Sequence, residues 1–389
     1  MPDMTERAWD PAVDPSADPA DALAAARRPA SVEEDHHDEE MPRVHITRER
    51  VLIFGLFVVS AVAFLYFVLP RFAGLGKTWD RLNSGDPAWI AAALVFEVLS
   101  FGGYIVLFRT VFVRGESRID WRESYQITMA GLAATRLFAA AGAGGIALTA
   151  WALRRSGMER RIVACRMVAF MFLLYAVFAL TLVIDGIGLR TGLFGGSAPA
   201  ALTIVPACVG AVLLGAFLAI ALVPGDFDRR LEEWAGESRH PRLAHWSRWV
   251  ATVPASAASG VRTAISIVRA RNPGVLGALG WWGFDIAVLW AAFNAFGDAP
   301  AIAVIVMAYF LGQVGNTLPV PGGIGGVDGA LIGAFVAFGT DTGLAIVAVL
   351  VYRAFSFWMP TVPGAVAYLQ LRRTVRSWRD RARQTALQA

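Results

Sequence analysis

A series of apolar runs, each about 20 residues long and therefore able to cross a bilayer as a helix, constrains this chain more than any other feature. Only 17% of the residues are charged and 56% are hydrophobic, whereas soluble domains carry about a quarter charged residues. The sequence predicts an all-α integral membrane protein with about six transmembrane helices. The uninterrupted runs lie at about 51–69, 88–108, 162–184, 201–223, 274–297 and 342–370.

Two further apolar regions, 125–153 and 301–338, are interrupted by glycine or proline. Arginine clusters mark the cytoplasmic side of membrane proteins, and they occur here at 109–124 and 154–161. On that basis 125–153 enters and leaves the membrane from the cytoplasm, and 301–338 enters and leaves it from outside. Each is predicted to be a helical hairpin, either re-entrant or broken helices, which we favour, or two complete spans. Broken backbone at membrane depth is tolerated only against protein or a cavity.

Composition divides the chain into three parts. Residues 1–48 are acidic and proline-rich and are predicted to be a disordered cytoplasmic tail. Residues 49–371 form the membrane domain, which includes a basic amphipathic cytoplasmic loop at about 224–273. That loop is expected to lie on anionic headgroups or to bind a soluble partner. Residues 372–389 form a basic tail, and both termini are predicted to be cytoplasmic.

The two hairpins resemble each other, because "GLAATRLFAAAGAGGIALTA" at 131–150 aligns without a gap with "GQVGNTLPVPGGIGGVDGAL" at 312–331. The apolar span before each hairpin also carries a lone acid, Glu97 in the first case and Asp285 in the second. Each unit then has three crossings, so the second copy is inverted relative to the first. The predicted repeats cover about 51–184 and 201–370, an arrangement that many transporters use to build a substrate site.

Several ionisable side chains fall inside the apolar regions, where such groups usually face a cavity or pair with one another. One interpretation is a set of three structural ion pairs. The other is a polar cavity that holds an anionic headgroup, because arginine binds phosphate in bidentate fashion and stays charged. Acids in that cavity could couple transport to protons. The candidate cavity residues are Glu97, Arg136, Arg166, Asp285, Asn316, Asp328 and Arg353.

Glycine and proline in the hairpins predict breaks in the helices, since proline removes an N–H and clashes with the preceding turn. A helix that starts after such a break directs free N–H groups at an anion. By contrast, Gly329 and Gly333 are four residues apart and predict a small-residue face for close helix packing. The predicted break or gate residues are Gly142, Gly144, Gly145, Pro319, Pro321, Gly322, Gly323, Gly325 and Gly326.

Other chemistry is not supported by motifs. Cys165 and Cys208 both lie in apolar runs and have no nearby cysteine or histidine to suggest a disulfide framework or a metal site. No HExxH or P-loop occurs, and "GAGG" at 142–145 is not a dinucleotide-binding turn. The basic residues cluster between apolar runs, which indicates membrane topology rather than nucleic-acid binding. We expect no cofactor.

The segments "PVPGGIGGVDGAL", "YRAFSFWMP" and "AGAGGIALTAWALRRSGM" together resemble the flippase-like family, also called the lysylphosphatidylglycerol synthase transmembrane domain family. The resemblance covers about 50–372. It implies a bacterial inner-membrane protein that moves a lipid between leaflets, such as an aminoacylated phosphatidylglycerol or an isoprenoid-linked glycolipid. The residues that match the family's motif are Pro319, Pro321, Gly322, Gly323, Gly325, Gly326 and Arg353.

This sequence departs from the family's pattern at two places. The family often has glutamate at the position of Asp328, and its first hairpin often contains "ARAGE", where this chain has "AAAGAGG" without the acid. Multiple peptide resistance factors add an aminoacyl-transfer domain after the membrane part. Here a short tail follows the last span, so we expect no enzyme activity.

The first functional hypothesis is therefore a flippase for an anionic, aminoacylated or isoprenoid-linked lipid. An alternative is a membrane scaffold that recruits an envelope glycosyltransferase through 226–272. A small-solute or ion transporter is a third interpretation.

Overall fold

The computed structural model describes residues 84–113, 119–137, 143–194, 199–222, 257–317, 323 and 325–388, which all belong to one compact unit, 46–389. These residues form helices and short connections, with no strand among them. The predicted tail 1–48, the first apolar run 51–69 and residues 224–256 of the predicted loop lie outside the described residues.

Eleven α-helices are described within these ranges, and these residues contain five runs long and apolar enough to span a membrane, the last of which, Thr342–Arg381, joins two of the helices through a π-turn. Those five match the predicted runs at 88–108, 162–184, 201–223, 274–297 and 342–370. The helices are α1 Pro87–Phe112, α2 Trp121–Leu137, α3 Ala143–Arg155, α4 Arg160–Arg190, α5 Ala200–Leu222, α6 257–269, α7 Leu276–Phe296, α8 Ile302–Gln313, α9 Gly326–Ala337, α10 Thr342–Arg353 and α11 Thr361–Gln388.

The start of α1 follows from its sequence. Asp86 caps the helix by accepting a hydrogen bond from the backbone N–H of Ala88, which satisfies one of the free donors at a helix start. Pro87 then occupies the first helical position, where its missing N–H costs nothing.

The largest helix pair in the described core is α1 against α7, which run antiparallel along their whole length. Trp89 packs edge-on to Trp290 near one end, and Gly103 meets Gly277 near the other. A Cβ on Gly103 would lie 2.8 Å from the backbone nitrogen of Trp281. The backbones approach this closely because glycine stands at the crossing. Opposite directions for these two spans agree with the predicted topology.

A second close pair consists of α4 and α5. Gly210 lies against α4, where a Cβ would come within 2.6 Å of the Ala179 carbonyl oxygen. Much of α5 away from this contact is exposed and apolar, with Val212 71% exposed. In a membrane that surface faces lipid.

Both hairpin regions contain two short helices. The second limbs, α3 and α9, have 13 and 12 residues. At 1.5 Å per residue they measure about 20 and 18 Å, less than the roughly 30 Å of a bilayer core. They are too short to be complete spans, which favours the predicted broken hairpins. Gly329 and Gly333 of α9 have no described atom within 4 Å of an added Cβ, so no described helix packs closely on these two glycines.

The C-terminal region is a long helix whose second half covers the predicted basic tail, 372–389. Thr374 donates a hydrogen bond to the side-chain oxygen of Gln126, and Trp378 donates one to Glu123. Both partners belong to α2. The tail therefore packs on the first limb of the first hairpin instead of beginning a separate segment.

The described part of the predicted cytoplasmic loop is the helix α6. Its buried residues recur on one face as Ala258, Val261, Ala264 and Ile267, so it is amphipathic as predicted. That face packs on α4, where a Cβ on Gly260 would lie 2.8 Å from the Cys165 carbonyl oxygen.

Candidate functional site

The α1–α7 crossing brings two acidic side chains together inside the membrane domain. Glu97 is 2% exposed and Asp285 is 8% exposed. Ser100 of α1 donates to the Trp281 carbonyl of α7, and this register places Glu97 opposite Asp285, where their charges interact. Both acids were predicted cavity residues, but the sequence pattern did not predict that they lie opposite each other.

Asp285 is held by two tyrosine hydroxyl groups. Tyr309 of α8 donates a short hydrogen bond to Oδ2 of Asp285, and Tyr352 of α10 donates to the same oxygen over 3.0 Å. Hydrogen bonds to an ionised acceptor are about twice as strong as neutral ones. The two hydroxyl groups together fix the orientation of the Asp285 carboxyl group.

Arg136, at the end of α2, reaches the last membrane helix. Its guanidinium donates to the backbone carbonyl of Ser356 over 2.7 Å and, at 3.5 Å, to that of Phe357. Pro360, four residues later, has no N–H and cannot make the α-helical hydrogen bond to the Ser356 carbonyl. The positive charge of Arg136 acts on Glu97 and Asp285.

The turn that presents these carbonyls, Ala354–Trp358, is a π-helix. Such turns are rare and occur frequently at functional sites. Phe357 in this turn packs beneath the guanidinium of Arg353, whose central carbon lies 4.7 Å from the ring centroid. The π-turn thus contacts both arginines of the cluster.

Arg353 pairs with the second hairpin. Its Nε atom lies 2.7 Å from Oδ1 of Asp328. The other carboxylate oxygen of Asp328 accepts from the backbone N–H of Gly325, which caps the start of α9. A carboxylate in the first turn also favours the helix dipole. Asp328 therefore fixes both the helix start and its contact with α10.

These side chains form what we call the polar cluster: Glu97, Arg136, Asp285, Tyr309, Asp328, Tyr352 and Arg353. It joins both hairpins to α1, α7 and α10, and it contains three carboxyl groups and two guanidinium groups. Tyr309 and Tyr352 were missed from the sequence, where a single tyrosine in an apolar span is indistinguishable from a packing residue.

Two predicted cavity residues lie elsewhere. Arg166 of α4 donates to the backbone carbonyl of Phe112 over 2.8 Å, at the C-terminal end of α1, where carbonyl groups lack helical partners. Asn316 is exposed and donates to the side chain of Gln313. Neither contact connects these residues to the polar cluster.

The predicted break residues are described in part. Gly142, Pro319, Pro321 and Gly322 lie outside the described residues. Gly323 and Gly325 adopt φ values of 64° and 81°, a region that other residues rarely occupy.

Three more glycines lie at or just after helix starts. Gly326 begins α9, and Gly144 and Gly145 follow the start of α3. A Cβ on Gly315 would lie 2.5 Å from the Gly326 backbone, so the two limbs of the second hairpin touch backbone to backbone.

Comparison with known protein sequences identifies the family of this chain. The sequence model of the family described as the lysylphosphatidylglycerol synthase TM region matches residues 52–364. The chain belongs to this family. A UPF0104 membrane protein of Methanothermobacter thermautotrophicus is 25% identical over 324 residues, which cover 80% of this chain and 93% of the relative. Another match to a UPF0104 membrane protein of the same organism is 32% identical over 109 residues, covering 28% of this chain and 31% of that protein.

In this member of the lysylphosphatidylglycerol synthase TM-region family, two of the three segments that carry the resemblance meet in space, and they also reach Arg136, which precedes the third. Asp328 from the second hairpin pairs with Arg353, which begins the "RAFSFWMP" stretch. The Ser356 and Phe357 carbonyls of the same stretch bind Arg136, just before the first hairpin's break. The polar cluster is therefore the meeting point of these segments.

Proposed function

We propose that this chain moves an anionic lipid between the leaflets of the membrane, with the headgroup passing through the polar cluster. The observation that carries the proposal is the position of Arg136. It lies at the break of a hairpin, half-buried, and its described hydrogen bonds are to backbone carbonyls. These are neutral acceptors that a phosphate can replace with a stronger, charge-assisted contact.

The surrounding architecture supports the same proposal. Broken hairpins that meet long helices near the middle of the membrane are how many transporters form a substrate site. The two hairpins here both reach the polar cluster, one through Arg136 and the other through Asp328. We propose that they belong to an inverted repeat, with the apolar, exposed face of α5 towards the acyl chains.

We also propose the cytoplasmic membrane as the location, with both termini on the cytoplasmic side, on the strength of the arginine distribution. The activity is transport rather than an enzymatic reaction. Recruitment of an envelope-biosynthesis protein by residues 226–272 would be an additional role or, if lipid exchange fails, the alternative.

The test is leaflet exchange of labelled lipid in vesicles that contain the purified chain. Arg136→Gln should slow the exchange of phosphatidylglycerol about ten- to a hundred-fold, because one hydrogen bond to a charged group contributes about 1.5–3 kcal/mol. Arg109→Gln is the matched control. Arg109 contacts Ser124 and Trp121 at the other end of α1, so its loss should leave the rate within about twofold.

Two further comparisons sharpen the test. An isoprenyl phosphate in place of phosphatidylglycerol distinguishes the two anionic lipid classes, and phosphatidylcholine reports headgroup selectivity. Equal exchange rates for wild type and a folded Arg136→Gln variant would refute headgroup binding at Arg136. Equal rates for anionic and zwitterionic lipids would refute selectivity for an anion.

A further inference from the structure

We propose that Glu97 and Asp285 form a proton-binding site, in which one proton is shared between the two carboxyl groups and a second is taken up when an anionic headgroup binds beside them. The first part stands on the geometry of the pair alone. The second part rests on the proposed function. The proton comes from water and is held as a carboxyl O–H, and no other bond changes.

Oε2 of Glu97 is fully buried, and among the residues that the structure describes no N–H or O–H group donates a hydrogen bond to it. An ionised carboxylate can only accept hydrogen bonds, and a bare charge buried without partners is very costly. A proton on Glu97 removes the charge and supplies a hydrogen that Asp285 can accept.

The hydrogen bonds from Tyr309 and Tyr352 distinguish the two acids of the pair. Tyr309 and Tyr352 both donate to Oδ2 of Asp285, and donors stabilise the ionised form of an acid. Glu97 has no comparable donors. In the resting state Glu97 is therefore the acid that carries the proton, and Asp285 is the carboxylate that accepts it.

The net charge of the polar cluster also favours one bound proton. With all groups ionised, its three carboxylates outnumber its two guanidinium groups. One shared proton makes the cluster neutral, as burial in a membrane requires. A singly charged phosphate that binds at Arg136 or Arg353 adds a negative charge. A second proton, on the Asp285 side, restores neutrality.

Charged and titratable side chains from three helices, α2, α8 and α10, face the acid pair. Arg136 faces it from α2, Tyr309 from α8, and Tyr352 and Arg353 from α10. Both cations favour an ionised carboxylate, and neither prevents a shared proton, because the pair still carries one negative charge. A proton also supplies a hydrogen bond between the two carboxyl groups, which a sodium ion does not.

Infrared difference spectroscopy of the purified full chain tests the site without any transport assay. The carbonyl band of a protonated carboxylic acid should be present in wild type and absent in Glu97→Gln. Asp185→Asn is the matched control, because Asp185 is another buried acid, on α4, with an unpartnered oxygen. It should leave the Glu97 band in place. Tyr352→Phe should shift this band, since Asp285 loses a donor, and it serves as a second variant if Glu97→Gln does not fold.

Two outcomes of the infrared experiment would refute the proton-binding site. Identical spectra for wild type and Glu97→Gln would mean that the pair holds no proton. A band that changes when sodium replaces choline at constant pH would mean that a metal ion occupies the pair.

Coupling is tested by adding short-chain phosphatidylglycerol to the same protein in weakly buffered solution with a pH indicator. Wild type should take up about one proton per bound lipid, the number that neutralises the added charge, and the double variant Glu97→Gln with Asp285→Asn should take up none. Lipid that binds without proton uptake would refute the coupling and leave the proposed function intact. An absence of lipid binding would refute the proposed function, whereas the infrared band would still report the proton site.

Discussion

Arg353 and Asp328 form an ion pair, 2.7 Å between Nε and Oδ1, that ties the second broken hairpin to the helix that follows it. Asp328 also accepts from the Gly325 N–H and so holds the start of α9. Oδ1 of Asp328 therefore contacts Arg353, and its Oδ2 caps α9.

Removal of either charge of the ion pair should destabilise the fold. Asp328→Ala removes the carboxylate that contacts Nε of Arg353 and the cap of α9, and the loss of one partner of a buried pair costs about 3–5 kcal/mol. Asp328→Asn keeps a side-chain oxygen for the Gly325 N–H and should cost less. Unfolding in detergent measures both. The double variant Asp328→Ala with Arg353→Met should lose less than the sum of the single variants, and strict additivity would show that the two residues do not interact.

Adjacent glycines on α1 should respond in opposite directions. Gly103→Ala should lower the thermal unfolding temperature, because a Cβ would lie 2.8 and 2.9 Å from the α7 backbone and α1 and α7 must separate to admit it. Gly102→Ala meets no described atom within 4 Å and should stabilise the helix by about 0.5–1 kcal/mol. Equal effects of the two substitutions would contradict the observed crossing.

Pro360 should affect how much Arg136 contributes to the free energy of unfolding. Pro360→Ala restores an N–H that can reach the Ser356 carbonyl, so this carbonyl no longer depends on Arg136. The stability cost of Arg136→Ala should then fall by about 1 kcal/mol, the net contribution of one hydrogen bond. A double-mutant cycle on unfolding free energies measures the coupling. An unchanged cost of Arg136→Ala in the Pro360→Ala background would mean that the arginine does not stabilise this carbonyl.

The tyrosine hydroxyl groups should matter through Asp285. Tyr352→Phe removes a hydrogen bond to a charged acceptor while keeping the ring, which should cost about 1.5–3 kcal/mol of unfolding free energy. Tyr175→Phe is the matched control, because Tyr175 is 46% exposed on α4, and its effect should stay within about 0.5 kcal/mol. If both variants unfold alike, Asp285 does not depend on the hydroxyl group.

The sequence predicted the long helices well because span length depends on a local property, the run of apolar residues. It also predicted that 125–153 and 301–338 are broken, since glycine and proline act on their own backbone. The buried charges were predicted as a group for the same reason, because each is costly where it stands.

Their partners could not be predicted in the same way. The sequence suggested that acids pair with arginines, yet Glu97 lies opposite another acid, Asp285, and Arg136 donates to a backbone carbonyl. A carbonyl becomes available only where a helix ends or a proline interrupts it. Which arginine reaches that carbonyl depends on how distant helices cross, and this is a property of the packing rather than of any local pattern.

The bond from Arg136 to the Ser356 carbonyl has a consequence for how the chain can vary. Its acceptor is the backbone, so any residue at position 356 supplies the same oxygen, and the requirement falls instead on the proline at 360 that leaves this oxygen unpaired. Pro360 therefore favours this link between the first hairpin and the last helix, which adds to the side-chain bonds of Thr374 and Trp378. Opening this link breaks hydrogen bonds to neutral oxygens, whereas opening the Asp328–Arg353 contact breaks a direct ion pair.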